Sequence, residues 1–282
     1  MILTSADIQK YVPLQTSSFS FDKYAGFEIR ALHKHLPRFL GNSLMENIES
    51  ETPDESLVAK VVPVLANLAV LEASPFFDVV LTSSGFGVVR NNNIAPASRE
   101  RVEAFGKGCQ TAANDFLDIL LAFLEDNKNK DPYTYWNKCS LNPGSLLPDT
   151  TTFNLQTRLN LKRHQFIDIK QNISVLELTF FAQTLSSEFL AELQEGEDPV
   201  VKPLFQKALA FMAYQDWLND TDPDKSGSLW KNKGASFMAR GMSVLVANLT
   251  NYPTYQTYGY EAPYDNADEE NEDSGFFIAG AT

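Results

Sequence analysis

At 282 residues and 44% hydrophobic content, the chain is long enough to bury one large core or two ordinary ones without covalent staples. Its formal charge of −13 and pI near 4.7 exclude a surface that clamps a phosphate backbone, because such binding draws its energy from Lys and Arg displacing counterions. Two cysteines supply neither a disulfide framework nor a zinc ligand set.

Taken in chain order, Thr4 or Ser5 caps a short helix over 6–11 that Pro13 stops. A helix then carries Phe27, Leu32, Leu36 and Leu40 near one face, and Pro37 must kink or divide it because proline removes a donor and clashes with the preceding turn. An acidic loop over 49–55 comes next, then a strongly apolar helix from about Asp54 that Pro63, near the end of its second turn, must likewise kink or divide. After Pro75 the period changes. The segment 77–89 is β-branched and aromatic on both sides of Ser84-Gly85, which predicts a β-hairpin arm whose Val79, Val80, Leu81, Phe86, Val88 and Val89 are candidate contacts with a neighbour. Ser98 caps a long helix whose apolar positions, Val102, Phe105, Cys109, Ala112, Phe116, Ile119 and Phe123, predict one continuous buried stripe.

The composition of 126–153 is that of a linker, with an aromatic cluster at Tyr133, Tyr135 and Trp136 that predicts a strap placed against the fold. The second half of the chain repeats the first. Residues 166–217 match 27–74 in their apolar spacing: a helix ends in Phe189 and Leu190 as the first does in Phe39 and Leu40, an acidic Pro-containing loop intervenes, and an apolar helix resumes. The expected fold is therefore mainly α, with two helical subdomains from an internal duplication (1–125 with its hairpin arm, and 154–264) joined by the strap. A further helix is expected over 235–249. Beyond a Tyr-rich stretch, an acidic run over 265–273 carries the apolar Phe276, Phe277 and Ile278, the arrangement of a tethered tail that docks in a groove or on a sheet edge.

Motifs for chemistry are weak. Asp220, Asp222 and Asp224 alternate like the start of a calcium loop, but Lys225 and Lys231 stand where its Gly and bidentate Glu belong, so a solvated acidic turn is expected. His33 and His35 diverge on a helix and cannot close on one metal. Gly106-Lys107-Gly108 lacks the spacing of a phosphate loop. No catalytic residue, cofactor or metal site is expected. The first residues lack a basic region ahead of a long apolar core, and the apolar run near 116–124 is interrupted by Asp118, so a soluble chain made in the cytoplasm without membrane contact is expected.

The stretch 80–102, from Val80-Leu81 through Gly85-Phe86-Gly87-Val88 to Ala95-Pro96-Ala97-Ser98, resembles an uncharacterised family of phages and prophages of Bacteroides-type bacteria whose genes lie among head and tail structural genes. The resemblance covers roughly the first 125 residues and carries over no functional residue. In architecture the chain is also similar to head–tail adaptor proteins of tailed phages, helical units that form rings beneath a portal. The resemblance implies a non-catalytic virion protein of the neck, a homo-oligomeric ring subunit that meets portal or other neck and tail proteins and lets DNA pass without gripping it. Two other classes compete with it: a cytoplasmic helical adaptor that recruits a partner through Phe276-Phe277-Ile278, and an enzyme with a site of scattered carboxylates and tyrosines.

Overall fold

The structure, a computed structural model, describes residues 2–12, 25–77, 79–82, 85–88, 98–222, 224 and 228–260, with backbone alone for 79–82 and 85–88. It is mainly helical.

Helix α1 (Ser5–Tyr11) opens on a reciprocal cap: Thr4 Oγ1 accepts from the Asp7 amide while the Asp7 carboxylate accepts from the Thr4 amide. Helix α2 (Ala25–His35) stops one residue before Pro37, which opens the single turn α3 (Pro37–Leu40), so proline divides the helix rather than bending it. Gly41 then takes φ 74°, a conformation that L side chains rarely adopt, and turns the chain into α4 (Asn42–Glu49). Asp54 caps α5 (Glu55–Ala73), its Oδ1 accepting from the Leu57 amide. Pro63 is carried inside α5, and the buried Asn67 side chain donates to the Pro63 carbonyl and to the Tyr11 carbonyl of α1.

Strands β1 (Val79–Thr82) and β2 (Gly85–Val88) pair antiparallel, Val79 opposite Val88 and Thr82 opposite Gly85. Helix α6 (Arg99–Asn127) packs along α5. Its buried row is Cys109, Ala113, Leu117, Leu120, Leu121 and Leu124. The expected continuous stripe is therefore corrected: Val102 is 48% and Ile119 50% exposed, while Phe105, Phe116 and Phe123 flank the core. A row that alternates steps of three and four winds around a long helix of 3.6-residue period, and only the side facing α5 is covered.

The segment 126–153 is held against the fold, as its aromatic cluster predicts. Tyr133 and Trp136 are buried in a first cluster that draws on residues from Leu3 to Trp136, whereas Leu146, Leu147 and Phe153 belong to a second cluster reaching Tyr255. Helix α7 (Thr150–Thr157), capped by Asp149, begins inside the segment. Large apolar side chains spaced among Pro and Asn anchor the segment.

Beyond α7 the order of elements runs parallel to the first half. Helix α8 (Arg163–Leu176) continues through one π-helical turn, Glu177–Phe181, into the short α9 (Ala182–Leu185). Ser186 has φ 71°, close to the value at Gly41, and starts α10 (Ser187–Glu195). Helix α11 (Lys202–Thr221) is the enclosed helix of this half, and α12 (Leu229–Ala247) packs along it, starting earlier than the expected 235 because Leu229 and Trp230 already lie in its first turn. Helix α13 (Pro253–Tyr258) folds back onto α10 as the turn Tyr133–Tyr135 folds back onto α4. In each half the short first helix, the second helix and the long last helix all pack on the enclosed one: α1, α2 and α6 on α5, and α7, α8 and α12 on α11. Enclosure explains the composition of α5, which is apolar and long enough to cross a bilayer by those measures and is buried on most of its surface.

Candidate interaction surfaces

Buried carboxylates are used to tie chain together. The Glu28 side chain in α2 accepts from the Ile2 and Leu3 amides ahead of α1. Glu177, in the π-helical turn, accepts from the Leu146 amide at 2.7 Å and from the Ser145 hydroxyl at 3.0 Å ahead of α7, and burial pushes its pKa up. A second matched pair joins the returning tyrosines to the acidic loops. The Tyr133 hydroxyl donates to Asp54 at 2.7 Å, which holds the Asp54 carboxyl below the usual range, and Tyr252 pairs with Asp198, whose Oδ1 also accepts from the Val200 and Val201 amides. Directly after each buried glutamate stands an exposed aliphatic side chain, Ile29 at 59% and Leu178 at 76%.

The seam between the halves is ionic. Lys162 pairs with Asp115, Arg163 reaches Asp118 at 3.1 Å and Glu125 at 2.8 Å, and Arg38 reaches Asp168 at 3.2 Å. A cleft of about 280 Å³ opens beside it, with Leu36, Phe39, Leu68 and Leu117 below and Arg38 and His164 on its rim. Burial, with Lys162 nearby, holds the His164 pKa below its usual value, and its Nδ1 has no hydrogen-bond partner among the described residues. Glu72 gathers Arg30, Lys34 and His35; burial raises its carboxyl, but hydrogen bonds from Lys34 and His35 and the charges of Lys34 and Arg30 hold it below its usual value.

The face of α11 and α12 has a different build. Phe211 stacks on Trp230 (centroids 5.6 Å apart) and on Phe237 (5.9 Å). Cations cover the rings: Lys233 lies 4.5 Å from the Trp230 ring, and Lys207 and Arg240 lie 5.4 and 5.9 Å from Phe237. An open groove of about 570 Å³ adjoins this layer, lined by Leu204, Ser236, Ala239, Arg240, Ser243 and Val244.

Of the residues singled out in the sequence, Val79, Val80, Leu81, Phe86 and Val88 lie in the paired strands, with their side chains outside the described residues, as is all of Val89. Phe276, Phe277 and Ile278 also lie outside the described residues, as does the chain from 261 on. Asp220 ends in α11, while 223 and 225–227 are undescribed. His33 reaches Glu49 and His35 reaches Glu72, each on its own partner. Cys109 is packed, and burial pushes its thiol up to about 11, which suppresses the reactive thiolate. The tyrosine–aspartate pairs and the cation-covered rings escaped the sequence reading. Trp230-x-x-Lys233-x-x-x-Phe237-x-x-Arg240 has the helical spacing that places them on one face.

Neither the curated proteins nor the solved structures give a match. The model of a family of unknown function, DUF6712, matches residues 33–144, so the part of the chain from the end of α2 through α6 to the segment after Trp136 is similar to that family.

Proposed function

We propose that the chain is a non-catalytic structural protein of a tailed-phage virion, an adaptor ring subunit of the head–tail neck beneath the portal, built by duplication of one helical unit. The observation that carries the reading is the paired build. The two halves agree in helix order and in the packing of three helices on an enclosed fourth. They also agree in the bend at φ 74° and 71°, the buried glutamate and the tyrosine–aspartate tie. Glu28 sits 13 residues before its bend and Glu177 nine, a difference of about one helical turn. Independent details of this kind repeat when a whole unit is copied.

A scaffold role fits how the polar groups are used. Buried carboxylates and tyrosines hold backbone and each other, and large aliphatic side chains at matching places point outward, where a soluble protein gains from covering them with a partner. The charge of −13 suits a channel wall that DNA passes without being retained. The hairpin 77–89 fits the part of an arm reaching a neighbouring copy. The test is immunogold labelling of particles made by a host that carries the gene. Gold is expected at the junction of head and tail; labelled capsid faces, tail tips or free protein alone would contradict the reading.

A further inference from the structure

We infer that the face of α11 and α12 is the acceptor for the chain's own C-terminal segment 265–278, donated by a neighbouring copy; the donor's being another copy rests on the proposed ring, while the acceptor face does not. Charge sets the first part of the argument. The segment carries Asp265, Asp268, Glu269, Glu270, Glu272 and Asp273 within nine residues, and the rest of the chain, still net −7 once these six are set aside, opposes its approach except where cations gather. At the α11–α12 face Lys207, Lys233 and Arg240 stand together over the stacked Phe211, Trp230 and Phe237. Rings beneath these cations raise their local concentration at a fixed place, because ring faces favour a cation that has left bulk water.

Shape supplies the second part. Arg240 belongs both to the cationic layer and to the groove, whose other walls include Leu204, Ala239 and Val244. An acidic stretch laid over the cations would therefore lead directly to the open groove, where Leu204, Ala239 and Val244 stand beside Ser236 and Ser243, in the order in which the segment places its carboxylates and then Phe276, Phe277 and Ile278. Reach is sufficient: fifteen residues separate Tyr260 from Phe276, and at roughly 3.3–3.6 Å per residue the stretch spans on the order of 50 Å. A nucleic acid is the lesser fit, because the rings already bear cations on their faces and leave little room for stacked bases.

The experiment uses the full chain with the photo-reactive p-benzoylphenylalanine in place of Phe277. After irradiation, cross-linked peptides are mapped by mass spectrometry, using a mixture of isotope-labelled and unlabelled chains to tell neighbouring copies from one chain. Cross-links to residues 203–245 between differently labelled copies are expected, falling about tenfold in the double variant Lys233→Glu and Arg240→Glu, whose exposed side chains leave the core untouched. Circular dichroism checks that the variant is folded. Cross-links elsewhere, as in the cleft beside His164, or a yield indifferent to the charge reversal, would overturn the acceptor face. Cross-links to that face within one copy would overturn the donation between copies and count against the ring, leaving the face itself standing. Displacement of the segment by equimolar single-stranded DNA would favour a nucleic acid there and reject the proposal.

Discussion

Single residues carry the ties that hold each half to its own flanking chain. Glu177 is the most exacting of them, since it is buried and accepts from an amide, a hydroxyl and the Gln194 side chain. Burial raises its folded pKa above the unfolded 4.5, so its contribution is full below 4.5 and is lost as pH rises through the folded value. The stability difference between wild type and Glu177→Gln, measured by urea unfolding, is therefore expected to move in favour of wild type as pH falls from 8 to 5. A flat difference would mean that the carboxyl is not desolvated. Glu177→Leu has no acceptor for the Leu146 amide and should cost about 1–3 kcal/mol. Asp54 has the opposite sign. Tyr133 first, and the Leu57 amide next, depress its pKa, so its contribution is present above the unfolded 3.8 and fades as pH falls through the depressed value. Tyr133→Phe should return the Asp54 pKa toward normal in a carboxyl-detected NMR titration and lower stability by roughly 1 kcal/mol. An unmoved Asp54 titration would show that the tie is absent in solution.

At the scale of elements, the sequence was most legible where a local rule acts alone. The cap at Thr4, the division at Pro37 and the start of α5 after Asp54 follow from capping and proline sterics, and they stand at the expected residues. The buried side of α6 and the division of 126–153 between two clusters could not be read, because both depend on which neighbours cover a surface, and periodicity says only that a surface exists. The interaction surfaces were less legible again: Lys207, Lys233 and Arg240 gather over rings contributed by two helices. The bends give a sharp test of local geometry. Gly41→Ala forces a side chain into φ 74° with its Cβ about 3.3 Å from Asn137, and should destabilise by about 1–2 kcal/mol. Ser186 already bears that strain at φ 71° while its Oγ accepts from the Phe189 amide. Ser186→Gly gives up a few tenths of a kcal/mol in capping and gains more in relieved strain, so its melting temperature should rise. Opposite signs for the two variants are expected in thermal unfolding; equal signs would show that the bends are not equivalent.

For the whole molecule, two buried clusters meet across a seam of ion pairs, and the proposed ring role would repeat this unit around an axis. A head-to-tail contact that closes gives a ring, and in the proposed ring the exposed Ile29 and Leu178 are candidates for such contacts. The direct measurement is the mass and shape of the purified full chain, by light scattering and negative-stain microscopy at micromolar concentration. The account predicts closed rings of one defined copy number, with a mass that is an integral multiple of 31.5 kDa. A single species of 31.5 kDa that persists as concentration is raised would contradict it.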